Sequence, residues 1–315
     1  TTEQRGHRVQ GVLEGFATIG TIIALGYLLA HIQILDVASQ VMLSRLAFFV
    51  ASPALLVTVL GGTDVTDVLS GNLAASAVGV AVAALLYVAV ARLVWRRDLG
   101  DTVIGTLSAS YVNAGNLGLP IAAYVLGDAA LIAPVLLLQL LVMQPLALAM
   151  LDSAVAGARV SVGSVLTKPF RNPLTVGSII GVILSVTSTE LPRAIEDPLV
   201  LVGGMAVPAM LLAYGVSLKL GPRPGAGAST LEIGYISFLK LVVQPAAAYL
   251  VARFVLGVGD LALLAVTVTA ALPTAQNIFV HATRYDRATI LARDAIFVTT
   301  LLSVPTLFVI AALLA

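Results

Sequence analysis

Asn113-Ala-Gly-Asn-Leu-Gly-Leu-Pro120 interrupts an otherwise apolar stretch of the chain. Two asparagines, two glycines and a proline within eight residues break an α-helix. The break leaves backbone N–H and C=O groups without partners along the helix. In hydrocarbon such groups must be met by other protein groups or by water lining a cavity. A second interruption of the same kind, Leu272-Pro-Thr-Ala-Gln-Asn277, lies inside an apolar stretch of the second half. Interrupted helices at corresponding places in two halves point to a binding site near the middle of a membrane carrier.

The composition around these stretches sets the class. Hydrophobic residues make up 59% of the 315 and charged residues 10%, against about 25% charged in soluble domains. The reading is an all-α integral membrane protein embedded in the lipid bilayer. A net charge of +1 gives no bulk attraction to nucleic acid, so none is expected as a partner. With no cysteine and three histidines at no metal-ligand spacing, no metal and no cofactor are assigned. GxxxxGK, HExxH and GxSxG are absent from the sequence, so neither an ATP-driven pump nor a hydrolase, and no enzyme, is expected.

A spanning helix needs roughly 20 mostly apolar residues. That rule predicts ten, near 9–30, 37–60, 71–94, 102–126, 129–151, 173–189, 196–218, 231–256, 260–283 and 288–314. The fourth and ninth carry the interruptions. One set of loops holds Arg92, Arg96, Arg97, Arg159, Lys168, Arg171, Lys219, Arg223, Arg284 and Arg287. The other holds Asp64, Asp67, Asp128, Glu190, Glu196, Asp197 and Asp260, with Arg193 as its only base, while Arg5 and Arg8 run mildly against the pattern. Basic loops stay cytoplasmic, which predicts a multi-pass protein of the cell (inner) membrane with both termini extracytoplasmic. Five spans per half force duplicated halves to be inverted. The expected division is a first repeat over 1–151, a cytoplasmic linker over 152–172 and a second repeat over 173–315. Ser52-Pro53-Ala-Leu-Leu and Val207-Pro208-Ala-Met-Leu are matching sequences in the two halves.

The first interruption starts 12 residues after Asp101, close to the bilayer midplane at 1.5 Å per residue. A broken helix presents N–H groups and a positive dipole end on one side and carbonyls on the other. Where two breaks cross, four half-helix ends converge and can hold an anion without a fixed cation. Asn113, Asn116 and Asn277 add amide groups that either bind substrate or satisfy the freed backbone.

Three stretches resemble the auxin efflux carrier family. Leu25-Gly-Tyr-Leu-Leu-Ala-His31, with Ser44 to Leu56, looks like its opening. Asn113 to Pro120 resembles its fourth-helix motif, and Leu272 to Asn277 with Arg284-Tyr285 its ninth. The resemblance runs essentially end to end, and the short link between halves looks like a bacterial member. It implies crossing fourth and ninth helices, a scaffold domain, a mobile transport domain and often a homodimer. It also implies a small organic anion as substrate, from auxin-like acids to dicarboxylates. Asn113, Asn116, Gly115, Gly118, Pro120, Pro273 and Asn277 then fall at the crossover, with Ser52 on the neighbouring second helix. His281 and Asp294 depart from the family pattern.

Ionisable and polar residues within spans are functional candidates by default. Lys240, nine residues into the eighth span, reads as a counter-charge for an anion or a group whose charge changes during the cycle; a snorkelling lysine, or one paired with Glu14, is the structural alternative. Asp294 beside Arg293 reads as a solvated interfacial pair, with a proton-carrier role as the alternative, and His281 as a group that could titrate near the crossover. Gln139 and Gln144-Pro145 are deep enough to line the cavity or to bond neighbouring helices. Gly177-x-x-x-Gly181 has a close-packing spacing.

The expected function is secondary transport of small organic carboxylates by alternating access at the crossing of the fourth and ninth spans. The candidate binding residues are Asn113, Asn116, Asn277, Ser52, Gln139 and Lys240. Gly115, Gly118, Pro120 and Pro273 are the candidate hinge, and His281 and Asp294 candidates for H⁺ coupling. A sodium symporter with Na⁺ at the broken helices, or a non-transporting membrane sensor, are the alternative readings.

Overall fold

The computed structural model describes residues 17, 18, 20–62, 71–156, 173–220 and 229–314. Arg5, Arg8, Glu14, the loop with Asp64 and Asp67, and residues 157–172 and 221–228 lie outside them, as does the side chain of Arg284.

The described residues are helical almost throughout. In chain order they form α1 (Gly20–His31), α2 (Val37–Gly61) and α3 (Gly71–Leu93), then α4 (Leu99–Ser110). After the first interruption, a π-helical turn, Ala114–Gly118, leads into α5 (Leu119–Tyr124). Then follow α6 (Ala129–Ala154), α7 (Pro173–Val186), α8 (Arg193–Leu220), α9 (Thr230–Val255) and α10 (Asp260–Ala270). Beyond the second interruption come α11 (Asn277–Tyr285) and α12 (Thr289–Leu314). Among the described residues, α2, α3, α6, α8, α9 and α12 are long and apolar enough to cross a bilayer. Carboxylates start several of them, as the helix dipole favours: Asp36 accepts from the Ser39 N–H, Asp98 from Asp101 and Asp128 from Ala130, each at 2.8 Å.

Proline accounts for a repeated irregularity. π-helical turns at Ala47–Ala51, Ala114–Gly118, Gln139–Met143 and Leu239–Val243 each stand just before an X-Pro pair. Those pairs are Ser52-Pro53, Leu119-Pro120, Gln144-Pro145 and Gln244-Pro245. The proline ring lacks an N–H and crowds the carbonyl four residues earlier, so the turn widens to relieve the clash. Widened turns leave carbonyls open to side chains from elsewhere, and these four carry or adjoin Ser52, Asn116, Gln139, Gln144, Lys240 and Gln244.

Many large apolar side chains face outward, and polar ones lie buried within the apolar core. Leu93, Leu201, Phe254 and Val255 stand more than 70% exposed, while Ser108, Ser110, Asn113, Gln139, Lys240, Gln244, Thr274 and Thr299 are buried. An apolar exterior of this extent is costly in water and favourable in lipid.

The helices pack as two groups. In the first, α2 lies on α7 and α8. Glycines set the spacing: a Cβ at Gly177 would strike Pro53, one at Gly181 the Leu56 carbonyl, and one at Gly215 the Ile23 carbonyl of α1. The Gly177/Gly181 pair thus does the close packing that its spacing predicts. In the second group α3 packs on α4 and α9, α4 on α6, α11 and α12, and α10 on α9 and α12. The π turn Ala114–Gly118 packs on α8, so the first interruption lies where the groups meet.

Candidate functional site

The two interruptions lie against each other. Val112 and Thr274 form an antiparallel β-bridge, isolated among the described residues. The Asn113 N–H donates to the Pro273 carbonyl at 2.8 Å, and the Ala275 N–H to the Tyr111 carbonyl at 3.2 Å. Each broken helix therefore supplies partners that the other lost, which is what an apolar interior requires.

Side chains from further helices meet most of the remaining backbone groups. Gln139 Nε2 of α6 donates to the Val112 carbonyl at 2.9 Å, and Gln244 Nε2 of α9 to the Ser110 carbonyl at 3.1 Å. Thr274 Oγ1 donates to the Ser108 carbonyl at 2.6 Å. The Thr274 N–H donates in turn to Thr299 Oγ1 of α12 at 3.1 Å. Pro273 has no N–H to satisfy. Three carbonyls and one N–H freed by the breaks are thereby paired without water, and the geometry is fixed from α6, α9 and α12.

What is left over is polar and specific. Asn113 is 3% exposed, and its Oδ1 accepts from the Asn116 N–H at 3.3 Å. Asn113 Nδ2 is buried without a hydrogen-bond partner, as is Asn277 Oδ1. Buried orphans of this kind are rare and call for a ligand or water. Asn116 Nδ2 donates to Gln276 Oε1 at 3.5 Å, a long contact joining the two interruptions. A Cβ at Gly115 would meet open space, whereas one at Gly118 would collide with Ile132 and come hard against Leu272 of the second interruption. Gly118 permits the close approach and Gly115 borders room. Pro120 lies just after the π turn, whose widening relieves the clash between its ring and the Asn116 carbonyl.

The structure brings Asn113, Asn116, Gly118, Pro273 and Gln139 together. Asn277 opens α11 immediately after the second interruption, and its amide reaches the Tyr111 hydroxyl. That hydroxyl donates to Gln144 Oε1 at 3.2 Å. Ser52 stands apart, its hydroxyl directed at Met210 Sδ of α8 at 3.9 Å. Lys240 is fully buried and donates to Gln244 Oε1 at 3.1 Å; it is linked to the first interruption through that glutamine. His281 lies one turn beyond Asn277 on α11.

Asp294 differs from expectation. It pairs with Arg293 at 2.7 Å, but is 2% exposed rather than solvated. The packing of α12 on α4, α9 and α11 covers it. Gln244, Thr274, Thr299 and Gln276 carry the geometry as well, beyond the residues to which the sequence points. Gln244 is marked by the proline after it, and Thr274 and Gln276 by their place within the second interruption; Thr299 has no such mark.

At one end of the second group, charges tie the helices together. Arg97 bonds Glu232 at 2.5 Å, Arg287 bonds Asp98 at 2.9 Å, and the Tyr285 hydroxyl donates to Asp152 at 2.6 Å. Glu232 also accepts from the Tyr87 hydroxyl at 2.8 Å. Its hydrogen bond holds the Arg97 guanidinium above its ordinary range, against the opposing effect of burial.

Comparison with known proteins finds relatives over nearly the whole chain. A Rhizobium meliloti (strain 1021) protein named "Putative malonate transporter" is 28% identical over 295 residues, 90% of each chain. A Methanothermobacter thermautotrophicus protein named "Uncharacterized transporter" is 26% identical over 302 residues, 94% of this chain and 96% of that one. The profile of the family described as "Membrane transport protein" matches residues 12–311. With nearly its whole length matched, the chain belongs to this family of membrane transport proteins, the auxin efflux carrier family that its motifs resemble.

Proposed function

We propose that the protein is a secondary transporter of small organic carboxylates, working by alternating access at the paired interruptions. The carrying observation is Asn113 Nδ2, a buried amide donor without a partner at the junction of two broken helices; the unpartnered Asn277 Oδ1 is an acceptor and suits a donor on the substrate, such as a protonated carboxyl group. The start of the turn at Ala114 and the start of α11 present positive dipole ends, which suit a carboxylate. The relative named for malonate supports a dicarboxylate of that size.

On this reading the chain has ten spans in two inverted five-helix repeats, with the basic loops cytoplasmic. The glycine-seamed group of α1, α2, α7 and α8 is the scaffold, and the group of α3 to α6 and α9 to α12 moves against it. Support comes from the first interruption lying where the groups meet. A carboxylate held there would be exposed to one side or the other as the groups shift.

Uptake of radiolabelled malonate into proteoliposomes tests the proposal. Asn116→Ala is expected to abolish uptake while leaving expression and thermal unfolding unchanged. Normal uptake by that variant would defeat the assignment of the site, and uptake that vanishes when K⁺ replaces Na⁺ would favour a sodium symporter instead.

A further inference from the structure

Lys240 is 0% exposed and lies in the π turn of α9 just before Gln244-Pro245. Its Nζ donates to Gln244 Oε1 at 3.1 Å, while Gln244 Nε2 donates to the Ser110 carbonyl at 3.1 Å. The orientation of that amide is not arbitrary. A carbonyl only accepts, so Nε2 must face Ser110 and Oε1 must face the lysine. Ser110 ends α4, three residues before Asn113.

The charged groups on every element packed around this turn are engaged elsewhere. On α9 itself, Glu232 holds Arg97 and Tyr87, and Arg253 pairs with Asp260. The Tyr235 hydroxyl donates to the Leu86 carbonyl. On α3, Arg92 donates to the Arg97 carbonyl. On α4, Asp101 accepts from the Ala288 N–H beside Arg97 and Arg287. On α12, Asp294 holds Arg293. A charged Lys240 thus has a neutral amide as partner and no carboxylate, an arrangement that a low-dielectric interior penalises strongly.

An anion at the interruptions would supply the missing counter-charge through a short path. Two groups that stabilise each other's charged forms must each strengthen the binding of the other. We propose that Lys240 is the proton carrier of transport: its amine takes a proton from water on the open side as the carboxylate binds, and returns it on the other side as the carboxylate leaves. Each anion then crosses with one proton. The inference rests on the reading that the carboxylate binds at Asn113 and Asn277.

The test is calorimetry of potassium malonate binding to the purified protein at pH 7, in two buffers of different ionisation enthalpy. The wild-type protein is expected to take up about one proton per malonate bound. Lys240→Met, which replaces the buried amine by an apolar chain of similar length, is expected to fold, bind roughly tenfold more weakly and take up essentially none. Lys240→Arg, permanently charged, is expected to bind without proton uptake. His281→Gln is expected to behave as wild type. Undiminished proton uptake by Lys240→Met, its loss in His281→Gln, or wild-type binding with no uptake would each overturn the proposal. Absence of malonate binding by the wild-type protein would instead defeat the anion site itself, and this proposal with it.

Discussion

The Asn113 N–H donates to the Pro273 carbonyl across 2.8 Å, so the break in one half of the chain is closed by the break in the other. Neither interruption is tolerable alone in hydrocarbon, because each would bury unpaired backbone groups. Together they need only a few outside donors and acceptors, and the residues that supply them should be sensitive to substitution.

Thr299 is the acceptor for the Thr274 N–H at 3.1 Å. Thr299→Val keeps the shape but strands that N–H, and is expected to destabilise the protein by about 1–3 kcal/mol. Thr299→Ser, which keeps the hydroxyl, should lose less than half as much. Thermal unfolding in detergent reads the difference, and equal losses in the two variants would show that the hydroxyl is not what supports the second interruption.

Gln139 reaches the Val112 carbonyl from α6. Val112 also accepts from the Ala114 N–H at 2.8 Å, so Gln139→Leu leaves the carbonyl partly satisfied. The expected result is a folded protein whose malonate uptake falls on the order of tenfold, equivalent to about 1.4 kcal/mol of lost positioning. Unfolding of the variant would mean that Gln139 supports the fold rather than the site.

Gly105 faces the Tyr87 hydroxyl so closely that an added Cβ would overlap it. Tyr87 is fully buried and donates to Glu232, which also holds Arg97. Gly105→Ala is therefore expected to cost about 1–3 kcal/mol by overpacking. Tyr87→Phe in the same background removes the hydroxyl but keeps the ring carbons that the added Cβ would also overlap, so it should recover only a small part of the loss; full recovery would locate the strain at the hydroxyl alone.

Gly215 of α8 meets the Ile23 carbonyl and the Tyr27 N–H of α1 where a Cβ cannot fit. Gly215→Leu is expected to separate α1 from α8 and to lower thermal stability more than Gly234→Leu, whose Cβ would meet open space. Equal effects would show that glycines do not hold the first group together.

The sequence discloses some of this more readily than the rest. Proline, glycine and asparagine inside an apolar run are strong local signals, so both interruptions are legible in the residues themselves. The partners that satisfy them are not, because the pairs are remote. Gln244 and Ser110 are 134 positions apart, and Thr274 and Ser108 are 166. Asp294 reads as interfacial because Arg293 adjoins it, whereas its burial depends on how α12 packs, which adjacency does not encode. Four π turns follow from the prolines after them, but the usefulness of Lys240 and Gln244 at such a turn appears only once α4 lies alongside.

A carboxylate bound between the paired interruptions is the core of the proposed mechanism, and an experimental structure with malonate bound would locate it. The expected result is a carboxylate oxygen about 3 Å from Asn113 Nδ2, beside Gly115 and Asn277. Malonate bound elsewhere, with Asn113 Nδ2 bonded to protein instead, would contradict the mechanism.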